Sequence, residues 1–412
     1  MRLAGAAGLL LGCGAAPDAA VPISMPGDCV AYHWTRALPG SGTDASVAAD
    51  GSIVAVSELQ GLHTATTLDR DGRELGTFAL DPFTTVVRAA AGGRVLAAAA
   101  DGRVRSFNAD GSTRWTAELG HPPLDLVARA DGGAIVSGQA ETGLVSYLDG
   151  QGNVQRSNVV RAPPLLAADD TGHLALTSRD ACSIDDPCGS GFDPNQATAS
   201  SAATDAGGAQ TSAVVLLDAA QRTTGGFISG VNAGEPLGPV FIRSGLLGPD
   251  ALVVQASAVS SQRQRASIDV DPGLGVAMRE VDTDAAPDHL LGFAGRGLVW
   301  DRGFQPLDDS GRAHVVGLFA NHQGVTVDVN GDVYKTHHIL QLAPDGSLRL
   351  RYDKPNDGIA NDVRLAGMDA RGRIVLSGRF EGTQDFDPGA GTDMLTATPE
   401  ARRYVSVLSA CE

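Results

Sequence analysis

The feature that most constrains this chain is a period. Turn-forming pairs recur along it in two interleaved series. One comprises Asp50-Gly51, Gly92-Gly93, Asp131-Gly132, Thr171-Gly172, Pro249-Asp250, Gly295, Asn330-Gly331 and Arg371-Gly372. The other comprises Asp71-Gly72, Asp110-Gly111, Gly150–Gly152, Ala220-Gln221, Pro272-Gly273, Ser310-Gly311 and Asp345-Gly346. Asp-Gly and Asn-Gly supply the positive φ that tight hairpins require. Gly51 to Gly93 is 42 residues, Gly93 to Gly132 is 39, and Gly132 to Gly172 is 40.

The segments between the turns read as strands. Ser52–Ser57, Arg94–Ala98, Ala134–Ser137, His173–Leu176, Ala251–Val254 and Arg373–Ser377 are short, apolar and bounded by turn residues. No segment of ten or more residues keeps a 3.6-residue apolar period. Four strands per unit of about 40 residues is the pattern of an all-β β-propeller. Counting the first series predicts eight four-stranded blades; merging the two compressed units at Gly295 and Asn330 gives seven as the alternative. A Gly count of 52 with only 5% aromatic residues suits a turn-rich chain of this kind.

The termini supply the closure. Trp34-Thr-Arg-Ala-Leu38 resembles Trp115-Thr-Ala-Glu-Leu119, and each Trp precedes its next first-series turn by 16 residues. Trp34 therefore belongs to a fourth, outermost strand with no earlier strands of its own. Tyr404–Leu408 is a third strand followed only by Ser409–Glu412. One composite blade, three strands from the C-terminus and one from the N-terminus, resolves both. Cys29 and Cys411 fall where the missing turn would be, and a disulfide there would staple the ring.

The N-terminus suggests an address. After Met1-Arg2, an apolar stretch leads into Leu10-Leu11-Gly12-Cys13. That tetrapeptide resembles the lipobox of bacterial lipoproteins, which implies cleavage after residue 12, lipidation of Cys13 and the outer membrane as a favoured destination in the cell envelope. The run is too short to span a bilayer. Residues 1–12 then form a signal peptide, 13–28 a flexible tether, and 29–412 one propeller domain. With Cys13 assigned to lipid, four cysteines remain, an even number that suits an oxidising compartment. Cys182 and Cys188, five residues between them in a polar loop, suit a local disulfide; a metal site is the rival reading. The pattern Asn108-Ala-Asp-Gly-Ser-Thr-Arg-Trp115 resembles the repeat of quinoprotein-type propellers. The segment 378–392 followed by Tyr404–Leu408 resembles bacterial β-propeller repeats of secreted proteins and lipoproteins. Neither resemblance implies pocket residues.

Candidate chemistry is sparse. Long inserts at 179–212 and 379–403 lie between second and third strands and are expected opposite each other, on the face that binds partners. Each contains a Phe-Asp-Pro turn, Phe192–Pro194 and Phe386–Pro388. Asp385, Asp387 and Asp393 are oxygen donors of the type calcium takes, set against a plain turn-capping role. His337-His338 would point to opposite faces of a strand. Trp34, Trp115 and Trp300 read as blade core rather than a sugar platform. The innermost strands offer Asp44, Arg88 and Asp125. No Gly-x-Ser-x-Gly, His-Glu-x-x-His or phosphate loop is present. The net charge of −17 argues against nucleic acid. These observations favour a monomeric, non-enzymatic binding or scaffold module for an envelope protein or polysaccharide, without a cofactor. The alternative is a hydrolase or lyase working at the central channel.

Overall fold

The computed structural model describes residues 30–411, apart from 43, 60–61, 139–142, 161–164, 169–172, 179–211, 219–222, 230–239, 249–250, 259–264, 270–277, 283–287, 295–296, 304–312, 332–335, 356–361, 390 and 400. Within them the turn series delimits antiparallel strands that pair with their sequence neighbours. Blade one comprises Ala45–Val47, Ile53–Leu59, Leu62–Leu68 and Glu74–Ala79, and blade two Thr84–Ala90, Arg94–Ala99, Arg103–Phe107 and Thr113–Glu118. Blade three comprises Pro123–Ala128, Ala134–Gly138, Gly143–Leu148 and Val154–Val160, and blade four Leu165–Ala168, Leu174–Ser178, Ser212–Leu217 and Thr223–Ser229. Blade five comprises Val240–Gly248, Ala251–Ala258, Asp288–Ala294 and Gly297–Gly303, and blade six Ala313–Asn321, Gly324–Gly331, Thr336–Leu342 and Leu348–Pro355. Blade seven orders Asp362–Met368, Ile374–Arg379 and Arg403–Ala410, then Val30–Leu38 from the other end of the chain.

The expected count of eight is therefore corrected: the described residues form seven four-stranded sheets. Their innermost strands touch in sequence order, and that of blade seven touches that of blade one, closing the ring. The miscount has a local cause. Gly295 falls in the chain between the third and fourth strands of blade five, not a first and second, and Asn330-Gly331 ends the second strand of blade six. Pro272-Gly273 lies outside the described residues, between the strands of a hairpin, Arg265–Asp269 with Met278–Asp282, inserted in blade five. One enlarged blade thus carries turns enough for two.

The composite blade is as the termini imply. Val30 pairs with Ala410, Trp34 with Val407 and Leu38 with Arg403. The register shifts between Tyr32 and Trp34, so His33 is an extra residue in a bulge. That residue switches the facing of the strand. Val30 and Tyr32 pack with Ile339 and Leu350 of blade six, whereas Trp34 packs with Ile53 and Leu68 of blade one. A regular period of two would have put Tyr32 and Trp34 on one side.

Each blade is apolar on both faces because it is sandwiched between two others. Ala48, Val54 and Ala65 of blade one meet Val95 and Phe107 of blade two. Leu96 and Val104 meet Leu126 and Val136 across the next interface. At the outer edge the contact is an aromatic ring on a glycine turn. Trp34 lies on Gly72, Phe78 on Gly111, Trp115 on Gly152 and Trp300 on Gly346, in each instance from one blade to the next. Two of these docks are reinforced in the same way. Trp34 Nε1 donates to Arg70 O at 3.1 Å and Arg36 to Gly72 O at 2.9 Å. Trp300 Nε1 donates to Pro344 O at 2.8 Å and Arg302 Nε to Gly346 O at 3.1 Å. The shared Trp-x-Arg spacing places both side chains on one strand face.

Gly152 has φ +83, and a Cβ there would sit 2.7 Å from the Trp115 ring. Gly92 has a similar φ of +77 with nothing within 4 Å. Gly92→Ala is expected to cost only the left-handed backbone penalty, about 1–2 kcal/mol. Gly152→Ala adds displacement of a packed ring, a further ~1–3 kcal/mol. Chemical denaturation of the two variants checks this; equal midpoints would show that the ring contact contributes nothing.

Candidate functional site

In every blade the first strand begins, and the second strand turns into the third, on one rim of the disc, here the upper rim. The inner strands bring Arg88 and Asp125 together as the sequence could not foretell. Arg88 donates to Asp125 Oδ1 at 2.7 Å from blade two to blade three. The other oxygen of Asp125 accepts the Leu166 amide of blade four at 3.1 Å. Asp125 is thus committed to tying three inner strands. Asp44 is not part of that group: its exposed carboxylate reaches Arg364 of blade seven at 3.6 Å.

The insert of blade seven does not stand out from the disc as a free loop. Its hairpin, Thr383–Asp385 with Met394–Thr396, folds back over blades six and seven. Phe386 of the Phe-Asp-Pro turn is 3% exposed, 4.7 Å from the Tyr404 ring and 5.2 Å edge-on from Phe380. The acids around it shape the turn. Asp385 Oδ1 accepts the amides of Asp387 and Asp393 at 3.1 and 2.9 Å, and Asp387 Oδ1 accepts that of Gly389 at 2.7 Å. The Tyr32 hydroxyl donates to Asp393, fastening the hairpin to the N-terminal strand. Among the described residues no three His, Cys, Asp or Glu side chains group to hold a metal ion. Phe192 and most of the blade-four insert lie outside the described residues, as do Cys13, Cys29, Cys182 and Cys188. On a ring of seven the inserts of blades four and seven are not opposite, and blade five carries a third insert that turn spacing disguised.

His338 is buried, and its Nδ1 lies 2.8 Å from Asp353 on the neighbouring strand. Arg351 also holds Asp353, at 2.7 Å. Burial alone would raise the Asp353 pKa, but the hydrogen bonds and charges of His338 and Arg351 prevail and hold it at about 2. The His337 side chain lies outside the described residues. Trp115 and Trp300 are buried against neighbouring blades, in keeping with a packing role. Elsewhere the upper rim carries exposed apolar residues that no motif announces: Leu62 at the second turn of blade one, Phe83 at the crossing into blade two, and Leu124 at the start of blade three.

These sheets, stacked radially and closed through both termini, define a β-propeller. No protein-family model matches the sequence, and no curated protein matches it in sequence. Among solved structures, BamB from Moraxella catarrhalis is 12% identical, covers 92% of this chain and 100% of its own, with a TM-score of 0.47. The Pan2 WD40 domain of Neurospora crassa is 11% identical over 93% and 96%, with a TM-score of 0.47. Quinohemoprotein alcohol dehydrogenase from Comamonas testosteroni is 12% identical over 93% and 77%, with a TM-score of 0.42. At such identity and superposition none of them lends this chain a residue, ligand or partner.

Two outcomes follow from the site geometry. Asp353 is ionised in the fold below the ordinary carboxylate range, so its stabilisation is complete above pH ~4 and is lost as pH falls towards 2. Asp353→Asn should flatten the acid limb of a stability-against-pH curve in that window; an unchanged limb would contradict the assignment. Phe386→Ala should free the insert, at a cost of about 3–5 kcal/mol if the turn cannot collapse onto the cavity. Limited proteolysis is the readout, with new cleavage expected between residues 381 and 400.

Proposed function

We propose that this chain is a membrane-tethered, extracytoplasmic scaffold whose upper rim docks a partner protein. One observation carries the reading. Leu62, Phe83 and Leu124 are 58%, 62% and 41% exposed on the same rim of three successive blades. Backbone hydrogen bonds fix their spacing, Leu80 N to His63 O at 2.7 Å and Ala100 N to Phe83 O at 2.9 Å. Several charged groups near them are paired: Arg103 with Asp81 and Asp101, and Arg88 with Asp125. A rigid apolar strip suits an apolar protein surface better than a polysaccharide, which needs polar contacts.

The tether in this reading is the Cys13 lipid and the segment before residue 29, with the envelope, and the outer membrane in particular, as the location. Among the described residues no helix is long and apolar enough to cross a membrane. A Cys29–Cys411 disulfide belongs to the same reading. The pairing of Val30 with Ala410 supports it, since Cys29 and Cys411 are the chain neighbours of that pair.

The test is capture of partners from solubilised envelope by the full chain. Leu62→Asp with Phe83→Asp is expected to lose the captured protein while leaving the melting temperature within a degree or so, since both side chains are exposed. Capture that survives both changes would overturn the docking assignment. In the same preparations Cys13→Ser should move the protein from the membrane to the soluble fraction.

A further inference from the structure

The upper rim of blade seven holds an arginine that packing does not explain. Arg403 opens the third strand and is 1% exposed. Among the described residues its Nε has no hydrogen-bond partner, and the guanidinium makes one bond, a long 3.3 Å contact to the backbone oxygen of Asp44. A buried cation without a counter-ion costs several kcal/mol. Arg379, exposed, stands directly opposite it in the sheet register, a like-charge cross-strand pair that is itself unfavourable. Burial pulls the Arg403 pKa down to about 10, with Asp44 acting against the shift and Arg379 adding to it. Among the described residues the other charges here are Arg364, 3.6 Å from Asp44 and 3.5 Å from Asp362, and the exposed pair of Arg402 with Glu381 at 3.7 Å. Among these residues four arginines face three carboxylates, which leaves one positive charge unmatched.

We infer that Arg379 and Arg403 form a binding site for a single carboxylate, at the seam between blade seven and blade one. Arg379 offers the planar fork that grips a carboxylate from solvent. Arg403 supplies a fixed positive charge from beneath, where weak screening makes it act strongly. The nearby Asp44 and Asp362 disfavour a dianion, so a monoanionic carboxylate is selected over phosphate. The site does not rest on the docking strip of blades one to three, and partner capture and carboxylate binding are separate measurements that fail separately.

The experiment is a thermal-melt titration of the full chain at pH 7.5 with sodium acetate, against sodium chloride and sodium phosphate at equal ionic strength. Acetate is expected to give a saturable rise on the order of 2 °C that chloride does not. Arg379→Gln should abolish that rise and, by relieving the like-charge pair with Arg403, raise the baseline slightly. Arg403→Met should abolish it and raise the baseline, because an unmatched buried charge is removed. Equal responses to acetate and chloride, or an acetate response retained in Arg379→Gln, would overturn the site, and phosphate outperforming acetate would overturn its charge selectivity. A capped glutamyl tripeptide acting at lower concentration than acetate assigns the carboxylate to a protein side chain; equal concentrations assign it to a free acid.

Discussion

The structure depends on the pairing of Val30–Leu38 with Arg403–Ala410. A propeller has no hydrophobic centre of its own; each sheet is stable because another covers each of its faces. If one blade lacks its outer strand, the damage is not confined to that blade. Trp34 would leave Gly72, the cluster of Leu38, Ile53, Val375 and Val405 would open, and blade one would lose the neighbour that covers it. The ladder joining the chain ends is therefore what allows all the other interfaces to exist. The His33 bulge matters for the same reason. It lets a single strand serve two interfaces, Tyr32 toward the blade-seven insert and blade six, and Trp34 toward blade one.

Around the rest of the ring, cohesion divides by radius. Near the axis, small side chains such as Ala48, Ala89 and Ala97 let the sheets converge. Farther out the gaps widen, and aromatic rings fill them. The glycine beneath each ring works twice: it takes the positive φ of the turn and leaves room for the indole face. That coupling of turn chemistry to packing explains why the spacing of turns and tryptophans is so regular along the chain. It also explains why the blade-seven insert carries buried aromatics. Phe386 fills the same kind of space between blades six and seven from outside the repeat.

Much of the architecture was legible because its cause is local. Asp50-Gly51 or Asp131-Gly132 can be read as a turn without knowing anything distant, and the equivalence of Trp34 and Trp115 was enough to place the N-terminal strand at the outside of the last blade. The blade count was less secure because a turn announces a reversal, not its rank within a sheet. Gly295 is a good turn between the wrong pair of strands, and the inserted hairpin of blade five lengthens one unit until it resembles two. The acids at Asp385 and Asp387 were readable as turn caps for the same local reason. Arg403 was not readable at all. It stands next to Arg402, which is exposed, and the pair look alike in sequence although only Arg403 lies beneath the backbone of Asp44. Leu62, Phe83 and Leu124 were likewise silent, since an exposed apolar residue looks in sequence like a core one.

The shared blade has a consequence for the order of assembly. Of the described strands, the earliest made is the one whose partner is made last, nearly four hundred residues later. Until then Val30–Leu38 has an unsatisfied edge, and blades one to six can stack only as an open arc. Ring formation is thus a late event of very high contact order, with the slow closure that such topology brings. Protein-folding helpers that shield strand edges would act on this chain mainly at its beginning, long before its end exists.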